Sequence, residues 1–382
     1  MAASGSAVRY YYVEESTPGV TPASPTFKPI RFNTATLTRN VAQVESAEIN
    51  SLRQRPPAKQ GTYSTQGEIV SELSDGSFDD LLSILMQQSG WSANALKVGS
   101  TVRTISILKR HTDLTKTLTA SDISAAESDS SFNSVAGAFA FEVGEFVRVS
   151  GFTDPANNGL FRVATATANK ITVTDASGGA VTLEDEAAGD PITLTASDDT
   201  IYRGCRLNTL SVAADIDARV LFTFGVIGTE AVPYGVPVAA TFDSPTTSEP
   251  MVTSVGSISE GGNTLAVATS HNFTLNNGMA PLFTLHNRAA FKVQNGIFTA
   301  SGTLSAYRES GGLFAKFLNE TATEISQTFS DGSNTYTFTF PNVRYTQADD
   351  AVPGPDAIVN SFTYSAGYDG TAQTTVTISR SA

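Results

Sequence analysis

The sequence predicts a mainly β protein that is internally duplicated, with a small β-domain inserted into the first copy. Composition is the first sign: Thr, Ser, Gly and Val are abundant, and these types suit strands and tight turns. The second is a repeated line. GTYSTQGEIVSEL at 61–73 and GIFTASGTLSAY at 296–307 share an aromatic (Tyr63, Phe298), a hydroxyl (Ser64, Thr299), a glycine (Gly67, Gly302) and an aliphatic (Ile69, Leu304). The third is a change of offset. DARVLFTF from Asp217 matches DAIVNSFTY from Asp356 at 139 or 140 residues, whereas the first pair stands 235 apart. Taking 140 from 235 leaves about 95 residues that only the first copy contains, and the stretch 111–200 differs in pattern over nearly that length. The expected organisation is therefore 1–110 as copy one, first part; 111–200 as an inserted, outward-facing β-domain; 201–245 as copy one, second part; and 246–382 as copy two.

Residues 12–32 carry four prolines and predict an extended arm. Alternating strands follow at 34–49 and 62–73, joined by the polar loop SLRQRPPAKQG, which Pro56 and Pro57 stiffen. DGSFDDLLSILMQQSGW predicts a helix over 77–88, with Ser77 as its cap, acids in the first turn and Gly90 as its stop. Its apolar stripe (Phe78, Leu81, Leu82, Leu85, Met86) predicts packing on a sheet. Strands are expected at 101–110 and 202–212. Between them, turns at Asn158–Gly159 and Gly178–Gly179 punctuate the short strands EFVRVSGF, GLFRVATAT and KITVTD. After the proline-rich joint 244–250 come strands around 251–267 and 281–294, the second copy of the line, and a helix at 311–319 capped by Ser310. TYTFTF at 335–340 and strands at 357–366 and 373–379 close the chain.

The formal charge of −13 disfavours a protein that grips nucleic acid through its phosphates. Residues 112–197 hold 12 acids and 4 bases, so −8 of that charge sits in the expected insert and −5 elsewhere. Cys205 is the single cysteine, which excludes an intrachain disulfide and disfavours a thiolate metal site. His111, His271 and His286 lack metal-ligand spacing, and no phosphate-binding loop or nucleophile elbow occurs. SDGSFDD is explained by helix capping rather than calcium binding. No catalytic role and no cofactor are expected. The opening residues have no apolar core of signal-peptide length, so a soluble protein made in a cytoplasm, without membrane insertion, is expected.

The repeated strand offers two unlike faces. Thr62, Ser64, Gln66, Glu68 and Glu72 alternate with core-type residues in the first copy, as do Thr299, Ser301, Thr303 and Ser305 in the second. The polar set is hydroxylic or acidic and contains no Lys or Arg. By itself this is the wet face of an antiparallel sheet.

EESTPGVTPASPTFKPIRF, VESAEINSLRQ, GEIVSELSDGSFDDLLSILMQQSGW, RGCRLNTLSV and AIVNSFTYSAGYD resemble the tail tube proteins (major tail proteins) of long, non-contractile-tailed bacteriophages. The resemblance spans both ends and omits only 111–200. It implies a duplicated tail-tube fold, each copy having two packed antiparallel sheets and one flanking helix. It further implies a virion protein in the phage tail, made in the host bacterial cytoplasm. Its subunits would join edge to edge, closing their inner sheets into a β-barrel, and its rings would stack into a tube that conducts genome DNA without sequence-specific binding. Family rings carry six such domains, so two per chain imply three chains per ring, a homotrimeric ring. Further partners would be the tape measure protein and other tail proteins. The polar strand residues become lumen candidates under this reading, and Arg53, Arg55 and Lys59 become inter-ring contacts, with Asp349, Asp350 and Asp356 as acidic partners. The alternative is a bacterial surface or adhesion protein with Ig-like β-domains. A third reading makes the insert a glycan-binding module through Phe132, Phe139, Phe141, Phe146, Phe152 and Phe161, though these aromatics suit a core better.

Overall fold

A computed structural model describes residues 3–48, 54–349 and 357–381. The expected extended arm is a pair of strands, β1 (Val8–Glu14) and β2 (Thr26–Ile30), joined antiparallel with Tyr11 opposite Pro29. Next come β3 (Thr34–Ala35), β4 (Thr38–Val44) and the long β5 (Lys59–Glu72). Helix α1 (Asp79–Leu85) is shorter than the sequence predicts. Its cap residue is Phe78, without a side-chain hydrogen bond, and Ser77 instead bonds Ser74 Oγ at 2.7 Å. Tertiary ties replace the cap. Arg103 grips both Glu14 oxygens at 2.7 Å, Asp80 at 3.0 Å and Ser83 Oγ at 2.7 Å, binding the helix to β1. Burial opposes charge on Asp80, yet Lys28 and Arg103 hold its carboxyl below the ordinary value. Strands β6 (Ala95–Lys97) and β7 (Ile105–His111) follow.

The middle of the chain folds on itself. Strands β8 (Lys116–Ala120), β9 (Ile123–Ala126), β10 (Ser131–Ser134), β11 (Phe146–Ser150), β12 (Gly159–Ala166), β13 (Lys170–Asp175) and β14 (Ile192–Ala196) make one seven-stranded sheet, ordered β8-β14-β11-β12-β13-β10-β9. It has its own hydrophobic cluster around Phe132, Val147, Ile171 and Leu194, in which Phe132 stacks on Phe152 at 5.5 Å. Phe132, Phe139, Phe141, Phe152 and Phe161 are buried, so they pack a core and do not form a sugar platform.

The chain returns as β15 (Thr200–Ala213), β16 (Leu221–Gly228), β17 (Glu230–Pro233) and β18 (Thr241–Phe242). It continues through β19 (Gly256–Glu260), β20 (Asn263–Thr264), β21 (Ala268–Asn276), β22 (Ala280–Leu282), β23 (Lys292–Gln294) and β24 (Thr299–Tyr307). Helix α2 (Gly312–Leu318), β25 (Thr323–Ser330), β26 (Thr335–Ala348), β27 (Val359–Ala366) and β28 (Thr377–Arg380) complete it. The N-cap position of α2 is Gly311; Ser310 Oγ accepts only the Gly312 N–H, at 3.3 Å. The strands expected at 251–267 and 281–294 are broken into short pieces, and the long strand lies between them, at β21. Its inward residues include His271, which the eye scores as polar and which breaks the apolar alternation with Phe273 and Leu275.

Strand pairing follows one order in both halves. The first runs β4-β5-β16-β15-β7-β1, the second β21-β24-β27-β26-β25-β19. A helix follows the second strand of each series, and α1 packs on β15 as α2 packs on β26. Strands β15 and β26 each pair with one set of neighbours along their N-terminal half and another along their C-terminal half. Gly204, at φ +59°, marks the change in β15, and Pro341, which lacks an N–H, lies at the corresponding place in β26. The halves share one hydrophobic core: Phe222 meets Phe338 edge-on at 6.0 Å, and β6 pairs with β28.

Candidate functional site

Pairing between β15 and β21 merges four strands from each half into an eight-stranded antiparallel sheet, ordered β4-β5-β16-β15-β21-β24-β27-β26. One face of it is the core. Ile69, Phe224, Leu210, Leu275, Ala300 and Ala366 are buried there, with Tyr364 behind them. The other face is wet because strand residues alternate sides. Val70, Thr223, Ser211, Thr274, Ser301 and Ser365 stand side by side in one registered row across six strands. Thr34 extends the row at one end and Arg344 at the other.

Hydroxyls on this face bond to one another, Ser211 to Thr274 at 2.9 Å and Ser305 to Ser361 at 3.4 Å. Each such pair leaves neighbouring hydroxyls for water. Acidic residues on this surface include Glu68, exposed, Glu72, half-buried and bonded by Asn33 Nδ2 at 3.1 Å, and Asp349, exposed at the sheet's end. A face of short hydroxyls and scattered carboxylates has no array of cations with which to hold a polyanion.

The repeated glycines have a steric role. A Cβ on Gly67 would lie 2.5 Å from Leu37 Cα, and one on Gly302 would lie 2.6 Å from Tyr364 Oη and 2.7 Å from the Asn272 carbonyl oxygen. Beneath Gly302, the Tyr364 hydroxyl and His271 Nε2 are 2.8 Å apart in a buried contact. Burial lowers the His271 pKa to about 4 and pushes the Tyr364 hydroxyl well up.

Of the sequence-derived candidates, Thr299 and Ser301 are exposed on the wet face, and Thr303 and Ser305 half-buried. On β5, Glu68 is exposed and Thr62, Gln66 and Glu72 are half-buried. Ser64 departs from expectation: it is only 4 % exposed, because the strict alternation of β5 lapses where Ser64 and Thr65 are both buried. In the basic loop, Arg53 lies outside the described residues. Arg55 pairs with Glu45 at 3.1 Å in an exposed contact, and Lys59 opens β5 opposite Val44. Asp350 and Asp356 also lie outside the described residues, while Asp349 is exposed at the end of the wet sheet. The sequence reading missed Thr209, Ser211, Thr223, Thr274, Ser361, Thr363 and Ser365. The alternation S-F-T-Y-S-A at 361–366 was a usable signal for three of them.

Among the described residues no cluster of His, Cys, Asp or Glu is arranged to hold a metal ion, and no helix is long and apolar enough to cross a membrane. Cys205 is buried, and that burial raises its thiol pKa well above the ordinary value. A family model described as phage tail tube protein matches residues 5–366. No curated protein sequence matches the chain.

Proposed function

Because the chain belongs to the phage tail tube protein family and is a structural component of the phage tail, we propose that it builds the tube of a long, non-contractile tail as stacked rings that conduct genome DNA into the host. The observation that carries this reading is the eight-stranded sheet with its hydroxyl-rich face. Joined edge to edge in a ring, such sheets form a barrel whose lumen presents hydroxyls and a few carboxylates. Among the described residues of this face, phosphates then find only Arg344, at the edge of the sheet, and no array of cations to anchor them, so DNA slides. Thr299, Ser301, Thr303, Ser305, Glu68 and Glu72 belong to that lumen, with Thr62 and Gln66 towards one rim; a buried Ser64 does not.

The matching strand orders of the two halves support a duplication in which each copy has two packed sheets and a helix. Two tube units per chain give three chains per ring. The separate sheet and core of β8–β14 support an inserted domain, carried outside the tube, where its −8 charge lies away from the DNA. The tape measure protein would occupy the lumen before DNA does, and other tail proteins would cap the tube. Family membership weighs against the surface-adhesion alternative.

Electron microscopy with helical reconstruction tests the assembly: three chains per ring are expected, and six whole chains per ring would overturn the stoichiometry. Lysines at Ser301 and Thr303 test the lumen. Virions carrying them should hold intact tubes yet deliver DNA more slowly, with a defect that eases as salt rises. Unchanged delivery from intact tubes would remove these residues from the DNA path.

A further inference from the structure

Among the described residues, one ladder joins the two strand series, the antiparallel pairing of β15 with β21 in the register Thr209–Asn276, Leu210–Leu275, Ser211–Thr274 and Val212–Phe273. Two other edges of the same sheet have no ladder partner among the described strands: the outer edge of β4, and that of β26 over 344–348. The internal junction predicts how they meet. In β15 the register against β16 slips between Leu207 and Thr209; in β26 the register against β27 slips between Tyr345 and Gln347, 138 residues later. Counting from that shared bulge, Thr209 corresponds to Gln347, Leu210 to Ala348 and Ser211 to Asp349. On the partner side, Gly302 faces Phe273, and the β4 register extended by one residue sets Leu37 against Gly67. Thr274, Leu275 and Asn276 therefore correspond to Thr38, Arg39 and Asn40.

We propose that β26 of one chain pairs antiparallel with β4 of the next in the register Gln347–Asn40, Ala348–Arg39, Asp349–Thr38, repeating between chains the junction that β15 and β21 make within one. The inference rests on the ring reading and specifies its contact. Backbone parity supports it independently. Asp349 N–H donates inward to the Ser361 carbonyl at 2.8 Å, so the peptide groups of Ala348 point out. Thr36 N–H donates to the Glu68 carbonyl at 2.9 Å, so the groups of Arg39, three residues on, also point out. The register joins these two outward-facing residues; a one-residue slip would set outward-facing groups against inward-bonded ones and place opposed side chains on different faces. Within the chain, the bonds from Asn277 N–H to Asn208 and from His271 N–H to Ala214 show the same parity at β15 and β21.

Side chains fit the register too. The hydroxyl pair Ser211–Thr274 becomes a hydroxyl donating to a carboxylate, Thr38 to Asp349. The buried Leu210–Leu275 pair becomes Ala348 opposite Arg39, a small residue beside a long one. Arg39 lays its guanidinium over the Tyr63 ring at 3.5 Å, which holds the long side chain on the face away from Asp349, beside the small Ala348.

Paired cysteines test the register. Gln347 and Asn40 would form a non-hydrogen-bonded pair, with Cα atoms about 4.5 Å apart, within disulfide reach. Under mild oxidation, assembled protein carrying Asn40→Cys and Gln347→Cys should become covalent dimers and trimers on non-reducing gels. The pair Asn40→Cys with Ala348→Cys, whose side chains point to opposite faces, should stay monomeric, and buried Cys205 should add nothing. Should the double variant fail to assemble, Thr38→Cys with Asp349→Cys reads the same register at the next non-hydrogen-bonded pair. Rings seen by microscopy without cross-linking at either matched pair would overturn the register and leave the ring reading standing. Absence of rings in the parent protein would overturn the ring reading itself.

Discussion

Replacing Gly302 by alanine should destabilise the subunit far more than one added methyl group suggests. The new Cβ would lie 2.6 Å from Tyr364 Oη and 2.7 Å from the Asn272 carbonyl oxygen. Asn272 sits in β21, directly paired with β24, and cannot retreat without opening the ladder. Tyr364 can move only by giving up its contact with His271 Nε2 at 2.8 Å, deep in the shared core. Overpacking costs about 1–3 kcal/mol. Leaving the buried imidazole and phenol unsatisfied adds about 1–3 kcal/mol. Replacing glycine in a strand returns about 0.5–1 kcal/mol. The net expectation is a loss of roughly 2–4 kcal/mol. Urea unfolding of the soluble subunit measures it. Fluorescence of Trp91, the single tryptophan, is a suitable probe because its ring packs on Tyr336 and under Arg380 in the same core. Gly370→Ala, where no atom lies within 4 Å of the added Cβ, is the control. Tyr364→Phe combined with Gly302→Ala should recover part of the loss by clearing the hydroxyl. A Gly302→Ala change within about 0.5 kcal/mol of the control would refute the steric account.

His271 gives a pH signature. Its folded pKa of about 4 lies below the unfolded 6.5, so its contribution is complete above pH 6.5 and declines as pH falls towards 4. The full loss is about 3 kcal/mol, and His271→Gln should flatten that part of a stability-against-pH curve; an unchanged curve would exclude the histidine as its source. Removing the middle sheet should be tolerated, because β7 and β15 are already antiparallel neighbours with Lys109 opposite Thr200. A short Gly/Ser linker in place of 112–198 would close them as a hairpin, at the cost of the contact from Arg148 Nε to the Gly235 carbonyl at 2.8 Å. Assembly-competent soluble protein is the expected result, and an insoluble product would count against an independent insert. Reversing Arg53, Arg55 and Lys59 to glutamate should block tubule growth while the subunit stays folded by circular dichroism. Each exposed pair contributes only about 0–1 kcal/mol, but a ring repeats the contact. Tubules that form as readily as the parent's at low salt would remove the loop from the inter-ring contact.

Much of the candidate site was legible in local pattern. Thr299, Ser301, Thr303 and Ser305 alternate with Ala300, Leu304 and Ala306, and a strand's two-residue period is written residue by residue. The glycine shared by Gly67 and Gly302 was visible as an echo, although only the structure showed the opposing backbone that requires it. Helix α1 could be read from its stripe, but its cap could not. Ser77 has the right chemistry, yet tertiary ties to Arg103 and Arg380 hold that turn, and the serine bonds elsewhere. Strand β21 was hidden because His271 looks polar in sequence and is buried in three dimensions, where a Tyr364 hydroxyl meets it.

The sequence by itself determined which residues can share a face and where like phrases recur, because a strand's period and a short phrase are each read over a few neighbouring positions. The tertiary structure alone decided that β15 meets β21, that β26 and β4 are left at opposite edges, and that both halves bury one core. Those choices lie between residues far apart in the chain. They are settled by the match of register, volume and hydrogen-bond parity between whole strands, which no local period encodes.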